Sequence, residues 1–321
     1  MATIVGHRYI PAMKSSDISI SRATLLIVVS ALSFGSISVL TVLVTKAGVP
    51  LLTAMAWRYV LGAVLLFAIT GVRRLGSIPR HRLVQLLLIG GFGQALITYL
   101  SLYALEYIPV GPLAFLFYTY PAWVALIAAM RRTEKLTAVR AIALTLALVG
   151  VTVMVGAPST DKLNPIGVAL ALGSALLYSA YLPSLAHLQQ GMPALVSTFV
   201  LVTGAAVTFV IAALFARELY LPTSLPVWSN IVVLAVVSTA IAFSTLIKGL
   251  SILGPVRTAI IATVEPFFTA LLGVAVLGYQ LTITTLAGGI LIATAVLLIQ
   301  WSSTRVDAIV TRRGVDGALP R

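Results

Sequence analysis

Three ionisable side chains, Arg58, Lys248 and Glu265, interrupt runs that are otherwise apolar. Such groups are costly in hydrocarbon unless they face protein, water or a partner, so they are the first candidates for chemistry. Glu265 lies in Thr263-Val-Glu-Pro-Phe-Phe-Thr-Ala-Leu-Leu-Gly-Val-Ala-Val-Leu277. It is about nine residues, or roughly 14 Å, into its run. A carboxyl there can bind a proton or a substrate ammonium and so couple two conformations. The alternative is a structural acid bonded to a neighbouring helix, which would offset the cost of burial equally well. Lys248 stands on the other side of the turn Leu253-Gly-Pro255, at a depth differing from that of Glu265 by roughly 6 Å. A flexible lysine spans that distance, which predicts a Lys248–Glu265 ion pair made or broken in a working cycle. Otherwise Lys248 snorkels to the surface. For Arg58, near the end of its run, snorkelling outward is the favoured reading; the functional one is two-point binding of a carboxylate.

Tyr99, Tyr103 and Tyr107 recur every four residues and share one helical stripe. With Tyr118, Tyr120, Tyr178 and Tyr181 they can line a cavity, offering apolar faces and polar tips; Tyr107 equally suits an interfacial belt. Pro121 and Pro266 are expected hinges, because a proline inside an apolar helix frees a backbone carbonyl. Other chemistries find no support. With no cysteine there is neither thiol catalysis nor a disulfide. His7, His81 and His187 fall in or near expected loops without metal-ligand spacing, so no metal site and no cofactor is expected. No H-e-x-x-H, G-x-S-x-G or Walker pattern is present.

The elements that must position these residues follow from composition. Of 321 residues 60% are hydrophobic and only 9% charged, against about a quarter in a soluble domain. Ten apolar runs are predicted, at 23–44, 51–71, 83–105, 110–130, 137–156, 166–186, 194–216, 228–251, 256–277 and 282–301. The first is read as an uncleaved span. With the N-terminus inside, sixteen Lys and Arg fall on inside segments and three, Lys46, Lys162 and Arg217, outside. That bias places both termini in the cytoplasm. It also accounts for the +13 net charge without nucleic acid as a partner.

The runs repeat. Ala114, Pro121 and Leu136-Thr137 recur 145 residues later as Ala259, Pro266 and Leu281-Thr282, and Tyr120 falls on Glu265. Runs one to five thus correspond to runs six to ten. An odd-numbered unit re-enters the membrane upside down. The fold class expected is therefore an all-α polytopic membrane protein of ten transmembrane helices in two inverted five-helix repeats, a plan that places a substrate site near the midplane. The organisation expected is a cytoplasmic segment 1–22, repeat 23–156, extracytoplasmic linker 157–165, repeat 166–301 and cytoplasmic tail 302–321.

Phe34-Gly35, Trp57-Arg58, Tyr103-Ala-Leu-Glu-Tyr-Ile-Pro109, Tyr120-Pro121, Glu265-Pro266 and Glu134-Lys-Leu-Thr137 together resemble the drug/metabolite transporter superfamily, in its EamA-like branch of ten-helix exporters. The second copy of the last motif reads Tyr279-Gln-Leu-Thr282, so the acid is not symmetric. The resemblance implies an inner-membrane secondary transporter exporting small metabolites, such as amino acids, by alternating access. Its expected partners are a small-molecule substrate, protons, the lipid bilayer and a second copy of the chain as a homodimer. A membrane-embedded enzyme and a non-transporting receptor or assembly partner are the alternatives. The first lacks a nucleophile–base or metal motif, and the loops are too short for the second to carry a binding domain.

Overall fold

The computed structural model describes residues 20–71, 79–108, 110–133, 137–155, 164–278 and 282–298, and they are helical apart from short connections. The expected N-terminal segment up to residue 19, most of the linker, and the tail lie outside the described residues. Helix α1 is Ile20–Lys46 and α2 is Leu51–Thr70, joined by a turn in which Gly48 takes φ 86° before Pro50. α3 is Arg80–Glu106, followed by α4 (Val110–Phe117), α5 (Tyr120–Met130) and α6 (Ala138–Val155). In the second half, α7 is Pro165–Leu188, α8 Ala194–Phe215, α9 Leu225–Ala262, α10 Glu265–Leu277 and α11 Ile283–Leu298. The start of α7 is fixed by the Asn164 side chain, which accepts the Ile166 N–H at 2.9 Å, and by Pro165 in the first turn.

Six of these helices, α1, α2, α3, α7, α8 and α9, are long and apolar enough to cross a membrane, and α5, α6, α10 and α11 are shorter and apolar. At 38 residues α9 is longer than one crossing needs. It breaks at Gly254, where φ 75° and ψ 169° leave the helical region just before Pro255. Leu25, Val64, Phe215 and Ile290 are exposed, whereas Arg58, Ser174 and Thr239 are buried. Apolar outside and polar within is the pattern of a chain whose solvent is lipid.

Two expected continuous runs turn out to be divided. The fourth breaks at Tyr118-Thr119, between α4 and α5, and the ninth breaks at Thr263-Val264, ahead of α10. The cause is the proline one position into each following helix. Pro121 and Pro266 have no N–H for the carbonyl a turn back. The preceding amides tighten instead to bonds three residues long: Thr119 to Leu116, Thr263 to Ile260 and Val264 to Ile261, at 3.2–3.3 Å. The breaks, like the prolines, are 145 residues apart.

The two repeats are not separate bodies. α1 packs chiefly along α9 and α10, α2 against α8, α3 against α7 and α8, and α5 against α7 and α9. Close approach is built from small residues. Gly91 on α3 meets the backbone of Gly204 on α8, and Gly35 on α1 lies against the start of α10, where a Cβ would come 3.1 Å from the Glu265 carbonyl oxygen. Buried hydroxyls tie the halves further. Ser30 Oγ donates to the Ala242 carbonyl at 2.8 Å, and Ser36 Oγ and Ser238 Oγ are 2.6 Å apart.

Candidate functional site

A cavity of about 420 Å³ lies between the repeats. The two breaks supply one wall, with Tyr118, Tyr120, Glu265 and Pro266. Glu265 begins α10 and Tyr120 begins α5, so the repeat-related positions face one space. A carboxyl in the first turn of a helix sits at the positive end of its dipole. Gly35 lets α1 close against that turn, and Thr269 Oγ1 fastens it by donating to the Gly35 carbonyl at 3.0 Å.

The rings of Tyr118, Tyr120 and Tyr178 line the same cavity as Glu265. Tyr178 meets Tyr120 edge-on at 4.7 Å, and Phe117 packs on both at 5.5 and 5.8 Å. Phe34 and Phe243 form a second aromatic wall, edge-on at 4.9 Å. Rings around a half-buried carboxyl group make a pocket for an amphipathic molecule, with π faces available to a cation.

Arg58 also lines this cavity. It does not reach the outer surface, being only 1% exposed. Its Nε donates to Thr239 Oγ1 and its Nη2 to the Ser238 carbonyl, both at 2.8 Å, and its guanidinium carbon is 4.9 Å from the centre of the Tyr59 ring. Snorkelling fails because a better partner is nearer. Residues Val236–Ile241 of α9 are wound as a π-helix, and that wider turn presents the Ser238 carbonyl to α2. Thr239 Oγ1 in turn donates to the Leu234 carbonyl at 2.9 Å.

The other residues singled out from sequence divide. Tyr120, Tyr178 and Pro266 line the cavity, and Pro121 is buried beside Tyr120. Tyr181 does not line it; its hydroxyl donates to the Gly90 carbonyl at 3.1 Å, against the π-helical stretch Leu86–Phe92 of α3. Tyr99, Tyr103 and Tyr107 do form a stripe, with Tyr99 and Tyr103 stacked at 5.3 Å, but they are spent on one another and outside the lining. Lys248 is also outside it, and among the described residues it makes no ion pair with Glu265. Its place before the Gly254 break leaves it half-buried on another face of α9.

Sequence reasoning missed the uncharged polar lining: Ser38 on α1, Gln94, Thr98 and Ser101 on α3, and Thr285 on α11. The row Gln94, Thr98, Ser101, spaced four and three in an apolar run, was the available signal.

The chain matches the model of the EamA-like transporter family over residues 21–156 and 165–301, one match for each repeat. No curated protein matches it. A solved crystal structure of another protein superposes with a TM-score of 0.71, covering 90% of this chain and 99% of its own, at 21% identity. At that identity the likeness shows the fold.

Proposed function

We propose, since the chain belongs to the EamA-like transporter family of small-solute transporters, that the cavity between its repeats is the substrate site of a secondary transporter. Its cargo is a small amphipathic metabolite, an amino acid or related compound, moved outward across the cytoplasmic membrane by alternating access. The observation that carries this reading is the convergence of Glu265, Tyr120 and Tyr178 on one partly open cavity bounded by helices of both repeats. In this reading α4 with α5 make one span and the stretch after Gly254 with α10 another. The Gly254 break parts α9 into two, the count is ten, and the repeats are inverted with both termini cytoplasmic. The half-helices ending at Tyr118-Thr119 and Thr263-Val264 are the parts that move, with Pro121 and Pro266 at the joints, and Glu265 exchanges a proton for the cargo.

The test is counterflow in proteoliposomes of purified protein, with a panel of radiolabelled amino acids and amines, followed by flux under an imposed pH gradient. Wild type should accumulate at least one compound and respond to the gradient. Glu265→Gln should retain counterflow and lose the response. Flux indifferent to the gradient in both proteins would remove Glu265 from coupling, and no counterflow across the panel would remove the cargo class.

A further inference from the structure

We infer that this conformation of the protein is open to the extracytoplasmic side alone: Glu265 meets protons and cargo from that side, and a seal of α1 against α9 closes the cytoplasmic one. This rests on the cavity being the substrate site and on the termini being cytoplasmic. The lining is one-sided along the helices that build it. On α1 it runs from Phe34, near the middle, to Val42, a turn short of Lys46. On α3 it runs from Gln94, also near the middle, to Leu102, and on α10 from Glu265 to the last residue, Leu277. α11 contributes Thr285, just after its start at Ile283. Among the described residues the first halves of α1 and α3 supply nothing. The cavity therefore reaches toward the ends joined by the α1–α2 and α3–α4 turns. Lys46 stands at those ends, whereas Arg22, Arg80, Arg82, Arg131, Arg132 and Arg140 stand at the opposite ones. An excess of Lys and Arg marks the cytoplasmic side, so the cavity reaches outward.

The hydroxyls of the outer half agree. Ser38 and Ser101 line the cavity half-buried, and among the described residues neither hydroxyl has a hydrogen-bond partner. Ser174, Ser179, Ser184 and Ser251, by contrast, each donate to the carbonyl three or four residues back, at 2.7–2.8 Å. A hydroxyl in hydrocarbon has to find its partner within the protein, and one that water reaches does not. The cytoplasmic half is packed shut instead. Ala23 and Ile27 on α1 are fully buried, as is Leu250 on α9. A Cβ on Gly249 would fall 2.5 Å from Ile27 Cδ1 and 3.2 Å from the Ala23 carbonyl oxygen, so α1 and α9 touch through a glycine. One turn further along α1, the bond from Ser30 to the Ala242 carbonyl fastens the same pair. At the start of α3, Arg82 Nη1 donates to the Gln190 carbonyl at 2.8 Å, in the turn between α7 and α8. Access from the cytoplasm requires α1 to part from α9 at Ile27 and Gly249.

The chain has no cysteine, so single-cysteine variants report access without background. In the full-length protein Ser38→Cys and Ser101→Cys probe the cavity, and Ile27→Cys and Leu250→Cys the seal. Lys46→Cys and Arg131→Cys, both at exposed positions, mark the two sides. Each variant is treated with a membrane-impermeant charged maleimide, in intact cells and in inside-out vesicles. A minor conformer holds about 0.1–10% of the molecules, so the two cavity cysteines should react about tenfold or more faster from outside than from inside. The two seal cysteines should react from neither side. Cavity cysteines that react faster from inside, equally from both sides, or from neither overturn the inference. So does labelling of Ile27→Cys or Leu250→Cys from the cytoplasm at the rate of Arg131→Cys, or labelling of Lys46→Cys in inside-out vesicles only. Where a seal variant fails to fold by size exclusion, the cavity pair still decides which side is open. Labelling needs no cargo, so an empty counterflow panel would remove the proposed cargo class and leave this result standing.

Discussion

Gly91→Ala tests whether the α3–α8 crossing depends on the absence of a side chain, with Gly173→Ala as its control. A Cβ on Gly91 would fall on the backbone of Gly204 and 2.9 Å from the amide nitrogen of Ala205. An ordinary contact begins near 3.4 Å, and the neighbours are main-chain atoms of a helix, so α3 and α8 must part by about 0.5–1 Å. Overpacking of this kind costs about 1–3 kcal/mol. The gain in helix propensity from Gly to Ala returns up to about 1 kcal/mol. Gly173 lies within α7, and among the described residues a Cβ there meets nothing within 4 Å, so Gly173→Ala should keep the propensity gain. The propensity gain is common to both, so the two variants should differ by the overpacking cost, about 1–3 kcal/mol. At about 2–4 °C per kcal/mol, that is roughly 2–12 °C in melting temperature. The assay is the monodisperse fraction remaining after heating in detergent. Gln94 is three residues beyond Gly91, so displacing α3 should also reduce counterflow in Gly91→Ala and leave it intact in Gly173→Ala. Equal melting temperatures for the two variants would refute the argument that glycine sets this crossing.

Arg58→Lys keeps the charge but replaces the two separate nitrogens that reach Thr239 Oγ1 and the Ser238 carbonyl with a single ammonium, which cannot reproduce the planar fork. It should cost about 1.5–3 kcal/mol and lower the melting temperature by several degrees, and wild-type stability would show that the fork is not what holds α9. Ser36→Ala, Ser238→Ala and the double variant should reveal a coupling of about 0.5–1 kcal/mol in thermal unfolding, because the two hydroxyls are 2.6 Å apart and buried between the repeats. Strict additivity would mean that this bond contributes nothing.

The fold was legible because its signals are periodic and long. The turns at Gly48-Val-Pro50 and Gly191-Met-Pro193 end and begin helices where the sequence suggested, and the 145-residue offset led to Tyr120 and Glu265, which line one cavity. What escaped was local. Hydropathy alone cannot distinguish a continuous run from one broken at Thr119 or Val264; Pro121 and Pro266, read as hinges, marked the place but not that the helix ends there. Neither π-helical stretch has a composition of its own, and without them the inward course of Arg58 and the bond from Tyr181 to Gly90 could not be foreseen. Looking for charges also favoured Lys248 over Gln94. A lysine before a turn has a long stem that can leave the site, whereas a glutamine two residues past a π-turn is held in place.

The reach of Arg58 across 181 residues of sequence has a consequence for how the chain is made. Ribosomes add about 5–20 residues per second, so Thr239 is synthesised roughly 10–35 s after Arg58. Over that interval the bilayer holds a guanidinium whose acceptors do not yet exist. The early helices must therefore wait beside the insertion machinery or with Arg58 drawn toward the headgroups, and the nascent chain closes its interior only when its eighth predicted run arrives.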